Sequence, residues 1–192
     1  LAAQIAVNLD RRLCDREVIT YPNSNLFVRL GSSVRGQDTF IIQTTSAPTN
    51  DNLMELLIFI DTLKRSSAGR VTAVIPYLGY ARSDKKDQPR IPITARLVAD
   101  MIQAAGADRY VTLDLHAGQI QGFFSIPGDV ISAFPLLADY MRKKDLQNAV
   151  VVAADLGFAK KARTFATELG LPVAFVEKRR VDTRTEALTV IG

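Results

Sequence analysis

The sequence predicts an α/β protein built on a largely parallel sheet. Short β-branched runs alternate with longer helical patterns through most of the chain, and this alternation is typical of βαβ units. The 192 residues are 47% hydrophobic, which is enough for a sizeable core and excludes disordered and fibrous proteins. The most apolar segment, Leu53–Ile60, is interrupted by Glu55, so no run reaches the roughly 18 uncharged apolar residues of a membrane helix.

The elements follow in order from local patterns. Leu1, Ile5 and Leu9 recur at helical spacing and predict a helix at the start of the chain. Runs rich in β-branched and aromatic residues predict eight strands. These are Glu17–Thr20, Leu26–Leu30, Thr39–Gln43, Arg70–Pro76, Arg109–Leu113, Ala149–Ala153, Val173–Val176 and Ala187–Ile191.

The clearest helix is predicted from Asn52 to Ser67. Asn52 would be the N-cap, Glu55 its capping-box partner, and Gly69 follows the end. A second helix is predicted over Thr94–Ala105, ended by Gly106, and a third over Leu136–Lys144. After this third helix a new strand begins at Ala149, so we expect one domain over residues 1–145 and the start of a second over residues 146–192.

Charge and cysteine content restrict the function classes. Lys and Arg number 24 against 20 Asp and Glu, a net charge of 24 − 20 = +4, and the charges stand in short mixed-sign groups. This pattern favours small anionic ligands over nucleic acid. Cys14 is the single cysteine, so no internal disulfide can form, and a reducing, cytoplasmic location is expected. Cys14 itself is expected to have no role.

The loops after the strands are the places to search for a site, because ligands of open parallel sheets bind where strands end. The loop Tyr77–Asp87 carries a dense charge cluster that fits either a solvated surface or a ligand site. The next loop contains Asp114 and His116, two residues apart. Extended backbone would direct both side chains to one face, where they could share a cation or a hydrogen bond; a structural role for the histidine is the alternative.

Two later loops have weaker signals. Asp155 and Gly157 follow a strand and precede a helix, which fits a phosphate cradle of backbone N–H groups or a plain turn. The basic run Glu177–Arg184 is compatible with polyanion binding or with a surface loop, and we expect it to be a mobile loop.

Taken together, these motifs resemble the ribose-phosphate pyrophosphokinase family over essentially the whole chain. The most specific run is Asp114-Leu115-His116-Ala117-Gly118-Gln119-Ile120-Gln121-Gly122-Phe123-Phe124. Thr45–Ile58, the run Tyr80–Lys86, and Lys178-Arg179-Arg180 agree with it in order and spacing. The resemblance implies tandem phosphoribosyltransferase-type domains, the second incomplete here, and transfer of the β,γ-diphosphoryl group of ATP to ribose 5-phosphate with Mg²⁺. It also implies homo-oligomers, hexamers built from dimers. From the charge pattern and hydropathy we expect neither nucleic acid nor a membrane as a partner.

The resemblance also implies roles for individual residues. Lys178 and Arg180 would be catalytic, with Arg180 also on the ribose 5-phosphate side beside Asp155. His116, Asp155, Asp114 and Asp129 would hold the metal, the last two in an older metal signature of the family. The residues expected to bind ATP are Tyr21, Asn23, Asn25, Arg82, Ser83, Asp87 and His116, with Tyr21 stacking on adenine across a subunit boundary.

Several positions depart from the family pattern. Asn25 stands where glutamate is usual and Ser83 where glutamine is usual; Ser125 replaces an aspartate and Gly128 an aliphatic residue. Ala153-Ala154 replaces Ser-Pro, and Phe158 replaces a glycine and would narrow a phosphate cradle. These departures leave open a non-catalytic homologue that regulates a synthetase within a mixed oligomer.

The ends also bear on the expected activity. We expect both ends to be cut, because the chain starts at Leu1 within a helical pattern and stops after a strand. The family's phosphoribosyl-binding loop, two acidic residues followed by a threonine-rich turn, would come after Gly192. The 192 residues alone are therefore expected to be inactive.

Overall fold

The computed structural model describes residues 1–181 and 184–192, with side chains described outside residues 178–188. Five α-helices and nine strands are found in these ranges, and the chain divides into two compact units, Leu1–Ile131 and Ser132–Gly192. The first-unit helices are α1 (Ala2–Asn8), α2 (Thr49–Arg65) and α3 (Thr94–Ala104). Its strands are β1 (Arg16–Thr20), β2 (Leu26–Leu30), β3 (Asp38–Ile42), β4 (Arg70–Ile75), β5 (Arg109–Leu113) and β6 (Gly128–Ile131).

The first unit is built on a four-stranded parallel sheet in the order β3-β4-β5-β6. This confirms the predicted α/β class. Strands β1 and β2 form a separate antiparallel hairpin. Apolar residues of α2, α3 and the sheet make the core, with Leu56, Ile60, Ile75 and Ile102 fully buried.

Helix α2 begins three residues before the predicted N-cap. Asn52 lies inside the helix and donates from its amide to the Ser46 carbonyl at 2.8 Å, so the predicted capping box with Glu55 is wrong. The cap position is Pro48 instead. Because Thr49–Asp51 are polar, the first turn has no apolar signal, and the helical pattern becomes visible only at Leu53.

Strand β6 was not predicted. It starts at Gly128 after Pro127 and contains Asp129, and these residue types are depleted in strands. Its parallel pairing with β5, for example Leu113 with Ile131, forms it nonetheless. Pairing with a neighbouring strand overrides the weak local preference here.

The second unit contains α4 (Phe134–Arg142), β7 (Val151–Ala153), α5 (Ala159–Leu169), β8 (Val173–Val181) and β9 (Arg184–Ile191). Strand β8 pairs in parallel with β7 and antiparallel with β9. The unit starts at Ser132, whereas the sequence placed the boundary near residue 145. Helix α4 belongs to this unit because it packs on α5, where Phe134 contacts Phe165 edge-on at 5.5 Å between ring centroids.

The structure also differs from the loop that the sequence predicts after Val176. Strand β8 continues to Val181, so Lys178 and Arg180 lie in a strand, opposite Ala187 and Thr185 of β9. In sequence, a basic run looks like a solvated loop. Antiparallel pairing with β9 instead extends β8 through this run. The side chains of Lys178 and Arg180 lie outside the described residues.

Candidate functional site

A small cavity of about 190 Å³ lies at the carboxyl ends of β4 and β5. The register Ile75 to Thr112 places these two strand ends side by side, so the loops that follow leave the sheet at the same edge. The cavity is lined by Tyr77, Leu78, Ala81, Arg82, Leu113, Asp114, Leu115 and His116. Three of the predicted site residues, Arg82, Asp114 and His116, are thus brought together.

Buried side chains fix both loops to the core. Leu78 and Ala81 of the first loop are 5% and 9% exposed, and Leu115 and Ile120 of the second are 7% and 0% exposed. All four belong to the main hydrophobic cluster. Arg82 and His116, next to these buried positions, are exposed. Buried and exposed residues thus alternate along both loops. The buried apolar residues attach the loops to the core, and the exposed Arg82 and His116 remain at the cavity.

The backbone is strained at this site. Asp114 has φ 37° and Tyr80 φ 62°, a left-handed conformation that is costly for non-glycine residues and concentrates at functional sites. The sequence predicts Asp114 and His116 on one face of an extended segment. That premise is wrong, because the chain bends at Asp114 directly after β5. Both residues nevertheless line the same cavity, on a bent rather than an extended backbone.

Thr45, from the loop after β3, supports the Tyr77–Ser83 loop. Its buried hydroxyl donates to the Tyr77 carbonyl at 2.8 Å and accepts from the Gly79 N–H at 2.6 Å. A Cβ at Gly79 would lie 2.8 Å from the Thr45 carbonyl oxygen. The loop therefore needs glycine at position 79 and a hydroxyl at position 45. Sequence reasoning missed Thr45, since its role depends on a contact 34 residues away.

Ser83 is placed differently from the expected adenine contact. Its hydroxyl accepts a hydrogen bond from the Thr94 N–H at 3.2 Å and lies 3.3 Å from the Thr94 hydroxyl. The N–H groups of a first helical turn have no partner within the helix, so Ser83 satisfies the start of α3. Of the described residues, eight line the cavity, and neither Ser83 nor the exposed Asp87 is among them.

The turn between β1 and β2 holds the other predicted ATP contacts. Asn23 accepts a hydrogen bond on its side chain from the Asn25 N–H at 3.1 Å, and the Tyr21 N–H donates to the Asn25 carbonyl at 2.8 Å. Tyr21 is 45% exposed and its ring lies 6.3 Å from that of Phe27. The turn is thus internally ordered and presents an aromatic ring to solvent, outside the lining of the cavity.

Asp129 lies on β6 and forms an ion pair with Arg109. Its partner in register is Val111, two positions before the end of β5, and it does not line the described cavity. Across the described parts of the chain, no three His, Cys, Asp or Glu side chains gather in a group that could hold a metal ion. The predicted metal set of His116, Asp155, Asp114 and Asp129 is therefore represented at this cavity by Asp114 and His116 alone.

Asp155 lies in the second unit, after β7. Its carboxylate accepts from the Phe158 N–H at 3.0 Å and caps a short 3-10 helix, Leu156–Phe158, that leads into α5. The carboxylate thereby engages an N–H group that a phosphate cradle would use. Phe158 lies 6.0 Å from the Phe134 ring, which gives the phenylalanine a packing role within this unit.

No described helix is long and apolar enough to cross a membrane.

Comparison with known proteins identifies relatives of the whole chain. Residues 1–106 match the family model described as the N-terminal domain of ribose phosphate pyrophosphokinase. The chain is 50% identical over 192 residues to ribose-phosphate pyrophosphokinase of Campylobacter jejuni, and 52% identical over 194 residues to that of Caldanaerobacter subterraneus. All of this chain is covered in both alignments, against 62% and 61% of those relatives, so it spans about three fifths of their length.

A solved structure shows the same fold. The crystal structure of phosphoribosylpyrophosphate synthetase from Mycobacterium smegmatis superposes with a TM-score of 0.89 at 44% sequence identity. The alignment covers 98% of this chain and 63% of that one.

Proposed function

The chain belongs to the ribose-phosphate pyrophosphokinase family, and from this premise we propose that the complete protein makes 5-phosphoribosyl 1-diphosphate and AMP from ATP and ribose 5-phosphate. One observation carries the proposal beyond family membership. Arg82, Asp114 and His116, from loops after two adjacent parallel strands, line one cavity at the edge of the sheet where ligands of this fold class bind.

The reaction demands positioning and charge neutralisation more than covalent help from the protein. The C1 hydroxyl oxygen of ribose 5-phosphate forms a bond to the β-phosphorus of ATP. The bond from that phosphorus to the oxygen bridging to the α-phosphorus breaks, and AMP leaves with this oxygen. The hydroxyl proton passes to solvent. The reactants are both polyanions, so cations at the site are required to bring them together.

Arg82 is the cation that the cavity supplies. Its planar guanidinium suits a phosphate better than an ammonium group would, and it is exposed at the cavity. We assign it to the phosphates of ATP. His116 lies in the facing loop and can donate a hydrogen bond to the same phosphates.

Mg²⁺ fits the donor set at this cavity. Proteins often hold Mg²⁺ through one or two carboxylates together with substrate phosphates and water, without a full protein cage. Asp114 supplies such a carboxylate beside Arg82 and His116. When bound, the cation would neutralise phosphate charge. Because oxygen ligands suit Mg²⁺ better than imidazole does, we assign the cation to Asp114 and the phosphates to His116.

The remaining assignments rest on the family resemblance. Asp155 and Arg180 would contact ribose 5-phosphate, and Lys178 would stabilise charge on the transferred group. We propose that the first unit is the N-terminal phosphoribosyltransferase-type domain and the second unit the start of a similar one. A cytoplasmic homo-oligomer, in which the exposed ring of Tyr21 meets adenine bound by a neighbouring subunit, completes the proposal.

Phosphorus NMR on the complete protein with Mg-ATP and ribose 5-phosphate tests this function. AMP and phosphoribosyl diphosphate are expected as the only products. ADP, or no product despite saturable ATP binding, would contradict the proposal. Arg82→Ala should abolish most of the turnover, whereas Arg96→Ala is the matched control because Arg96 pairs with Asp100 on α3, away from the cavity lining.

A further inference from the structure

Asp84 is a buried carboxylate that the proposed chemistry does not use. It lies in the run of charged residues after Arg82, yet it is only 7% exposed, whereas Lys85 and Lys86 beside it are exposed. Burying a carboxylate costs free energy unless the group is hydrogen-bonded. Its position therefore requires a compensating interaction.

That interaction comes from the second loop of the cavity. The side-chain amide of Gln119 donates from Nε2 to Oδ2 of Asp84 at 2.8 Å. The two residues are 35 positions apart in the sequence. Gln119 belongs to a short 3-10 helix, Gly118–Phe123, which is fixed to the core by Ile120 at 0% exposure. The hydrogen bond thus joins the two loops that line the cavity.

The bond lies close to the functional side chains on both loops. One residue separates Asp84 from Arg82, and two separate Gln119 from His116. The backbone between Leu113 and the 3-10 helix is irregular and bends at Asp114. A hydrogen bond at this point fixes how far the segment carrying His116 lies from the segment carrying Arg82.

We propose that Asp84 and Gln119 are positioning residues. Their hydrogen bond holds Arg82 and His116 at the separation needed for both to contact the phosphates of one nucleotide. This proposal rests on the proposed function, because it takes Mg-ATP as the ligand of the cavity. Neither side chain needs to touch the nucleotide. A neutral glutamine donating to a buried carboxylate makes a stronger bond than two neutral partners would.

A double-mutant cycle on Mg-ATP binding tests the proposal in the complete protein. Gln119→Ala should weaken Mg-ATP binding about tenfold, the size expected for loss of one hydrogen bond to a charged group. If Gln119 acts through His116, the same change in a His116→Ala background should weaken binding less than about twofold. Independent, equal losses in both backgrounds would overturn the positioning role.

An exchange of the two groups gives a second test that a merely structural role would not satisfy. Gln119→Glu alone sets two carboxylates against each other and should weaken Mg-ATP binding more than Gln119→Ala does. Adding Asp84→Asn restores a bond of reversed polarity, from the asparagine amide to the glutamate, and should return the dissociation constant to within about threefold of wild type. No recovery in the double variant would contradict the proposal.

Gln103→Ala is the matched control, since Gln103 also makes one side-chain hydrogen bond, accepting from the Ser125 N–H at 3.1 Å, away from the cavity lining. It should leave Mg-ATP binding unchanged. Amide hydrogen exchange should rise in residues 77–83 and 114–118 of Gln119→Ala but not of Gln103→Ala, and unchanged exchange in both would overturn the proposal. If the wild-type protein binds Mg-ATP without transferring a diphosphoryl group, the proposed function fails, and the binding cycle still decides the positioning role.

Discussion

The ring of Tyr110 occupies the space that a side chain at position 128 would fill. A Cβ built on Gly128 would lie 2.0 Å from Cε1 of Tyr110, and the two residues are neighbours in register on β5 and β6. Tyr110 is 2% exposed and stacks on Phe124 at 3.9 Å between ring centroids. Gly128, which departs from the family pattern, therefore leaves room for the large ring of Tyr110 on the neighbouring strand β5.

Gly128→Ala should destabilise the protein by about 1–3 kcal/mol, the usual cost of adding a methyl group to a filled site. The Tyr110 ring would have to move and would lose its stacking on Phe124. Denaturant unfolding of the complete protein measures the change. Gly118→Ala is the control, because a Cβ there meets nothing within 4 Å. Equal stability of the two variants would show that the ring does not fill this space.

The same tyrosine predicts a loss of stability in alkali. Burial, with a smaller contribution from the charge of Asp129, raises the pKa of Tyr110 above its usual value near 10. The folded state thus holds this proton more tightly than the unfolded state. The stabilisation is complete below the unfolded pKa and is lost as the pH rises from there through the folded pKa. The free energy of unfolding should therefore fall from about pH 10 upward.

Tyr110→Phe tests the alkaline loss. The phenylalanine keeps the ring but cannot ionise, so the fall in stability above about pH 10 should be smaller than in wild type. Unfolding free energies measured at intervals between about pH 8 and 11 make the comparison. Tyr140→Phe serves as control, because Tyr140 is 56% exposed. Parallel pH profiles of wild type and Tyr110→Phe would rule out this source of the dependence.

Two buried threonines should respond in opposite ways to the same substitution. The Thr45 hydroxyl makes two hydrogen bonds that hold the Tyr77–Ser83 loop, whereas the Thr72 hydroxyl is buried with no partner among the described residues. Thr45→Val should cost about 1–3 kcal/mol, because the Gly79 N–H loses its acceptor. Thr72→Val removes an unsatisfied hydroxyl at equal volume and should be neutral or stabilising.

Thermal unfolding and Mg-ATP binding together check the threonine pair. Thr45→Val should also weaken Mg-ATP binding, since the loop that carries Arg82 depends on it. Thr72→Val should bind Mg-ATP like wild type. Greater destabilisation by Thr72→Val than by Thr45→Val would contradict the stabilising role of the Thr45 hydrogen bonds.

Much of the fold was predictable because its signals are local. The bounds of Leu26–Leu30 and Arg109–Leu113 agree with the sequence prediction, and α3 ends one residue early at Ala104. The two strand errors, at β6 and β8, depend on distant partners. Strand β6 needs β5, and the extension of β8 to Val181 needs β9. Neither pairing leaves a pattern within the segment itself.

The candidate site likewise contains residues that local sequence signals predict and residues whose roles depend on distant partners. Arg82, Asp114 and His116 could be found because they follow strands, where the topology of a parallel sheet gathers ligand-binding groups. Asp84 could not be found, since burial of one carboxylate within a charged run is decided by Gln119, 35 residues later. The family resemblance predicts that Ser83 contacts ATP, whereas in the structure its hydroxyl accepts from the Thr94 N–H at the start of α3.

Ser83→Ala should therefore act on stability more than on nucleotide binding. Removing an acceptor from the first turn of a helix typically costs about 0.5–2 kcal/mol, and the side chain does not line the described cavity. Denaturant unfolding should show this loss, while the dissociation constant for Mg-ATP stays within about twofold of wild type. A large loss of Mg-ATP affinity with unchanged stability would restore Ser83 as a nucleotide contact.

Lys178→Ala in the complete protein should lower turnover far more than Mg-ATP affinity. If Lys178 acts on charge that develops during diphosphoryl transfer, its removal should reduce kcat about 10²- to 10³-fold, because the interaction is made only in the transition state. Steady-state rates and equilibrium Mg-ATP binding separate the two effects. Lys160→Ala, an exposed position on α5, is the control and should change neither. Equal losses of kcat and Mg-ATP affinity would instead make Lys178 a ground-state contact to the nucleotide.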